Sequence, residues 1–170
     1  MARYDIVPDR SEVWIDATSP IHPIHSHTRG LEGFVDLEVH DGRLNLTVPP
    51  KGQMSLPVER LQSGNPLEDR ELRRRIDARR YRTIDGRLLE VRETGTRTCY
   101  LVRGDVTFKG VTNTYEGEMT IDQVDDKTLT LGGRSTFDIR DFGMEPPRIL
   151  MLRVDPEVAV RVEIVAARKG

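Results

Sequence analysis

Three of the chain's four histidines fall within six positions, in His22-Pro-Ile-His25-Ser-His27. Neutral imidazole nitrogens are common zinc ligands, and three of them with a fourth position left to water would make a site for metal-assisted hydrolysis. His25 and His27 share a face if the chain is extended. His22 would have to fold back through Pro23, and Asp16 is the nearest carboxylate that could orient a ring. The plainer reading is a surface loop whose histidines are exposed or hydrogen-bonded, and the pattern favours it. No metal or other cofactor is expected, and His22, His25 and His27 stand only as the alternative set of a metal enzyme.

The arginines Arg70, Arg73, Arg74, Arg75, Arg79, Arg80 and Arg82 form a second cluster. Guanidinium forks suit phosphates, but acids sit at pairing distance within the same stretch and no aromatic side chains are interleaved for base stacking. A solvated, self-paired face with no nucleic-acid partner is the expectation. Ser135, Cys99 and Asp141 do not make a triad, because no glycine elbow surrounds the serine. Asp141-Phe142-Gly143 lacks the phosphate loop, strand lysine and catalytic loop of a kinase. No catalytic residue is assigned, and the chain reads as a binding protein and not as an enzyme.

The elements that would position a site are mostly strands. From Tyr100 to Ile121 apolar residues recur at every second position: Tyr100, Val102, Val106 and Phe108, then after Lys109-Gly110 Tyr115, Gly117, Met119 and Ile121. That period marks two long antiparallel strands with one buried face, joined at the glycine. Further strands are predicted at Tyr4 to Val7, Val13 to Ala17, Phe34 to Val39, Leu44 to Val48 across a turn at Asp41-Gly42, Leu88 to Val91, Leu129 to Phe137 and Val158 to Ala166. One helix is predicted near 66–80. Asn65-Pro66 supplies its cap and first turn, acids come early and arginines late, and Leu72 and Ile76 form a narrow stripe that could lie over a barrel end. Pro49-Pro50-Lys51-Gly52-Gln53 and Glu145-Pro146-Pro147 read as loops.

With 170 residues, 36% hydrophobic and 32% charged, the chain fits a single domain over 1–170 with a real core. The net charge of −2 provides no field for nucleic acid. Cys99 is the single cysteine, so no internal disulfide exists, and a buried free thiol is expected. No leader pattern and no apolar run of membrane-spanning length is present, so a soluble, cytoplasmic protein without stable membrane insertion is expected.

About eight antiparallel strands tend to close into a barrel, which removes exposed edges and leaves room for one elongated apolar ligand. The candidate lining is Val13, Ile15, Phe34, Tyr100, Val102, Val106, Phe108, Met119, Ile121, Leu129, Leu131, Phe137, Val160 and Val162. The same residues could instead fill a dry core.

In order and spacing the chain resembles the YceI-like family of lipocalin-like proteins. The resemblance rests on Tyr4-Asp-Ile-Val-Pro-Asp-Arg-Ser-Glu-Val13, Arg29-Gly30, Ser63-Gly-Asn-Pro-Leu-Glu-Asp-Arg-Glu-Leu72 with Tyr81, Gly104-Asp-Val-Thr-Phe-Lys-Gly-Val-Thr-Asn113, Phe137-Asp-Ile-Arg-Asp-Phe-Gly-Met144 and Val160-Arg-Val-Glu-Ile164. It implies an all-β, extended antiparallel barrel with one capping helix. It also implies a long apolar tunnel for isoprenoid or fatty-acyl chains, used for binding, sequestration or transport, and often a homodimer. Leu31 and Phe34 stand where the family usually has two phenylalanines, and aromatics make up only 5% of the chain. The tunnel is therefore expected to be lined by aliphatics.

Overall fold

The computed structural model describes residues 1–18, 23–145, 148–149, 152–153 and 155–169, the side chains of 148–149 and 152–153 excepted. Its strands are β1 (Ala2–Ile6), β2 (Glu12–Thr18), β3 (Pro23–Arg29), β4 (Glu32–Leu37), β5 (Val39–His40), β6 (Arg43–Leu44), β7 (Lys51–Pro57), β8 (Thr83–Glu93), β9 (Cys99–Phe108), β10 (Val111–Gln123), β11 (Thr128–Asp138), β12 (Arg148–Ile149), β13 (Leu152–Arg153) and β14 (Glu157–Ala167). The helix α1 (Pro66–Ile76) lies between β7 and β8.

Antiparallel pairing runs β1-β4-β7-β8-β9-β10-β11-β14, and β14 returns to β1 through Asp5 opposite Ala167 and Ile6 opposite Ala166. The result is a closed eight-stranded barrel. β2 takes over from β1 along the same edge of β14, pairing Val158 to Glu163, and β3 pairs with β2. A short 3₁₀ turn, Pro8–Arg10, separates β1 from β2. Where that turn interrupts the ladder, the fully buried Ser11 repairs it: its hydroxyl donates to Val7 O at 2.9 Å and accepts from Val165 N–H at 3.1 Å. Ser11→Ala would orphan the Val165 N–H, while Val7 O keeps the Arg10 N–H at 3.1 Å, and a loss of about 2 kcal/mol is expected from chemical denaturation. A change under about 0.5 kcal/mol, the size of an ordinary surface substitution, would mean the hydroxyl is not a structural bridge.

The central hairpin turns at Lys109 and Gly110, both with positive φ (52° and 76°), as a two-residue turn of the twist-compatible type requires. Its register pairs Phe108 with Val111 and Tyr100 with Met119, so the alternation in sequence becomes one inward face.

Four sequence expectations are corrected. Leu44 to Val48 is not a strand; only Arg43–Leu44 pairs, with β5, and the wall strand is β7. Pro49-Pro50 punctuates the entry to β7, but Lys51, Gly52 and Gln53, read with them as a loop, already pair with β4; the alternation of Gly52, Met54 and Leu56 against Gln53 and Ser55 carries a glycine at its first inward position. The segment around His25 and His27 is strand β3 and not a loop; its inward Ser26 and Thr28 are polar and conceal the alternation. The helix ends at Ile76 and not Arg80, because Asp77 adopts the left-handed conformation (φ 58°) and its N–H caps the carbonyls of Arg73 and Arg74. Its start is as expected: the Asn65 side chain accepts from the N–H of Leu67 and Glu68.

The two ends of the barrel differ. At one end the β5–β6 hairpin lies across the opening, with Leu44 N–H donating to Tyr100 Oη at 3.0 Å, and Leu37, Leu129 and Ala166 are all but completely buried. This end is a packed floor. At the other end stand α1, the β9–β10 turn and a 3₁₀ turn at Ile139–Phe142. Lys109 Nζ donates to Arg75 O at 3.2 Å and ties the turn to the helix.

Candidate functional site

Between floor and helix lies a cavity of about 450 Å³. Its origin is legible strand by strand. Inward positions at Gly52, Gly86, Gly104, Gly117 and Gly133 fall in five successive strands, β7 to β11, and each is paired with a bulkier inward residue of the preceding strand. The pairs are Val35 with Gly52, Met54 with Gly86, Leu88 with Gly104, Val102 with Gly117 and Met119 with Gly133. Side chains missing from a diagonal band of the wall leave a void where an ordinary small barrel would be filled. A Cβ on Gly86 would meet no atom within 4 Å, whereas one on Gly104 would lie 3.0 Å from Arg87 O and one on Gly117 3.0 Å from Arg134 O. Gly104 and Gly117 therefore also permit close backbone approach; Gly86 serves only space.

The wall is almost wholly apolar, aliphatic along its length and aromatic at the helix end. Val13, Ile15, Val102, Val106, Phe108, Met119, Leu131, Phe137, Val160 and Val162 line the void, so most of the candidate set is brought together. Tyr100, Ile121 and Leu129 lie below it in the packed floor, where side chains from β9, β10 and β11 converge. Phe34 is outside: it occupies the opposite parity of β4 from the buried Val35, with the Arg3 guanidinium 3.8 Å from its ring centre. That guanidinium also chelates Asp36 at 2.8 and 2.9 Å. The inward side of β4 carries Val35 and Leu37, which line the cavity together with Leu31 just before the strand.

Leu72 and Ile76 of α1, read from sequence as a stripe over a barrel end, line the void on its helix side, and sequence reasoning missed Ile139, Phe142 and Met144 beside them. It also missed the glycine band, for which glycine at inward parity in consecutive strands was the available signal. Aromatics are few but concentrated: three of the four phenylalanines, Phe108, Phe137 and Phe142, gather with Tyr115 at the helix end. Tyr115 makes an edge-to-face contact with Phe137 at 4.5 Å, and Phe108 one with Phe142 at 5.9 Å. Tyr115 Oη donates to Asp141 Oδ2 at 3.0 Å. Burial, and then that bond to a carboxylate, push the Tyr115 phenol well above the ordinary tyrosine range, so it stays a neutral donor. The exposed Asp155 among the lining marks where the void meets solvent.

The chemistry-bearing clusters lie elsewhere. His22 is outside the described residues. His25 and His27 share the outer face of β3, and Asp16 accepts the His25 Nδ1 contact at 2.6 Å. Among the described residues no group of three or more His, Cys, Asp or Glu side chains is arranged to hold a metal ion. Cys99 is half-buried at the floor end of β9, not fully buried as expected. Ser135 donates to Glu116 O at 3.1 Å, and Asp141 serves Tyr115, so these residues form no catalytic relay.

The arginine face is largely self-paired at its centre. Arg74 and Arg75 reach Glu71 at 2.9 and 2.8 Å. Their hydrogen bonds hold the Glu71 carboxyl at about 2, against an ordinary 4.5. A carboxyl depressed in the folded state contributes stability above its ordinary value and loses it as pH falls towards 2. The Glu71→Gln variant should therefore lose less stability than the parent between pH 4.5 and 2, read as urea midpoints along a pH series. Parallel curves would contradict the pairing. Asp69, four residues before Arg73, turns inward instead and accepts from Ser63 N–H and O–H, both at 2.8 Å.

A sequence model of the YceI-like domain matches residues 4–166. The chain belongs to the YceI-like domain family. Solved structures share the fold of this YceI-like protein at low identity. BcnA of Burkholderia cenocepacia aligns with a TM-score of 0.80 at 18% identity, covering 96% of this chain and 100% of that one. A polyisoprenoid binding domain from Saccharophagus degradans, implicated in plant cell wall breakdown, aligns at 0.75 with 9% identity over 99% and 100%. The YCEI protein of Campylobacter jejuni aligns at 0.72 with 13% identity over 88% of each chain. A search of curated proteins found no match. No helix among the described residues is long and apolar enough to cross a membrane.

Proposed function

We propose that this YceI-like barrel binds one long apolar molecule, an isoprenoid or fatty-acyl derivative, and carries or sequesters it. The observation that supports this most is the void itself, about 450 Å³ with an apolar wall, within the size range of small-molecule sites. A barrel selected only for stability would fill its axis, since each lining atom facing a void forgoes dispersion contacts. Here five inward glycines keep the axis open. A chain of about ten methylenes would gain roughly 8 kcal/mol on leaving water, before the costs of association, which suffices for a micromolar carrier. Polyisoprenoid binding by the Saccharophagus domain of like fold agrees with this choice of ligand class.

Native mass spectrometry of gently purified protein, followed by organic extraction, tests the reading. Recovery of a long-chain molecule at about one per chain is expected. Repeated absence of any such adduct, together with failure of delipidated protein to take up an added long-chain alcohol, would refute it.

A further inference from the structure

Ser26 is 8% exposed, faces the cavity from β3, and its hydroxyl has no hydrogen-bond partner among the described residues. The groups around it are satisfied. Thr28 Oγ1 donates to Arg29 O at 3.0 Å, and His27 N–H donates to Gln62 O at 3.0 Å. That bridge brings the segment before α1 alongside β3. There Ser63 gives both its N–H and its O–H to one oxygen of Asp69, itself 8% exposed and part of the same lining. The half-buried Glu68 adjoins it. One end of an apolar void thus holds an unpaired hydroxyl and a carboxylate fixed from the helix.

We propose that Ser26 and Asp69 form a head-group subsite that selects an uncharged head able both to donate and to accept, an alcohol or a primary amide, and disfavours carboxylates and phosphates. The inference rests on the apolar-ligand reading and deepens it. A buried hydroxyl without a partner is a standing cost that a polar ligand atom relieves, and Ser26 can either give or take that bond. Asp69 can only accept. An anionic head brings acceptors alone and sets a like charge beside a buried carboxylate. Among the described lining residues the cations are Arg87 and Arg134, which border the void from the exposed outer faces of β8 and β11; Arg70 and Arg73, beside Asp69 on α1, are exposed to solvent, and Arg74 and Arg75 are held by Glu71.

The test uses the full delipidated chain loaded with N-phenylnaphthylamine, an uncharged apolar fluorophore, displaced by dodecanol, dodecanamide, dodecanoate or dodecane. Dodecanol and dodecanamide should bind about tenfold or more tightly than dodecanoate, a difference of about 1.4 kcal/mol. Ser26→Ala should weaken the alcohol and the amide about fivefold, leave dodecane within about twofold, and not lower the thermal midpoint, since it removes an unpaired hydroxyl. Asp69→Asn keeps an oxygen for Ser63 and should raise dodecanoate affinity about tenfold; mere preference of a carboxylate for water would be unmoved by that change. Equal losses for every probe in Ser26→Ala, or unchanged dodecanoate binding in Asp69→Asn, overturns the subsite while the apolar reading survives. Failure of the fluorophore and of dodecane to bind at all overturns both.

Discussion

Replacing Gly86 with tryptophan should abolish uptake of a long-chain ligand while leaving the barrel folded. Gly86 lies at inward parity in β8 between the lining residues Ile84 and Leu88. Its backbone is outside the left-handed region, and a Cβ there meets nothing within 4 Å. A side chain is thus tolerated where glycine stands, and an indole projected from mid-wall would lie across the void. Affinity should fall at least about 100-fold, equivalent to about 2.7 kcal/mol. Stability should hold or rise, because the substitution restores strand propensity and fills empty volume. Fluorophore displacement and thermal unfolding read the two effects separately. Full ligand affinity in the folded Gly86→Trp protein would place the ligand somewhere other than this cavity. Alanine at Gly104 supplies the contrast: its Cβ would press on Arg87 O at 3.0 Å, so instability and not selective occlusion is expected there.

The second large effect separates floor from wall. Leu129 is 0% exposed in the packed end of the barrel, and Leu129→Ala should cost about 3 kcal/mol, the usual range for a leucine truncated in a tight core. For a chain of this length that lowers the melting temperature by roughly 6–12 °C. Val160→Ala, in the wall around the void, should cost only about 1 kcal/mol, because part of the valine surface already faces empty space. Equal penalties at the two sites would mean that the barrel is packed alike from end to end, and that the void is not maintained in solution.

Much of this architecture is readable in the chain because one side of each long strand is buried. A period of two survives from Tyr100 to Ile121 and from Val158 to Ala166, and it placed the inward faces of β9, β10 and β14. The strands that were missed fail that condition. β3 turns Ser26 and Thr28 inward, and β7 turns Gly52 inward, so neither shows an apolar alternation. Phe34 stands where the resembled family has a phenylalanine and belongs to the candidate lining, yet its alternation with Val35 sends it outward, where Arg3 covers its ring. Tyr100, Ile121 and Leu129 have the correct parity, but height along the barrel axis decides between floor and cavity. Height depends on strand stagger and on the β5–β6 hairpin, which local pattern does not encode. Asp69 sits at helical pairing distance from Arg73, and only the fold of the preceding loop reveals that Ser63 captures it.

A crystal of the delipidated protein soaked with a terminally brominated long-chain alcohol would locate the ligand directly by anomalous scattering. A bromine peak is expected within the barrel among Val102, Met119 and Leu131, above the floor set by Leu129, with the chain running from there towards α1. Bromine found only on the outer surface, or no ordered bromine at ligand concentrations that saturate the fluorophore assay, would contradict it.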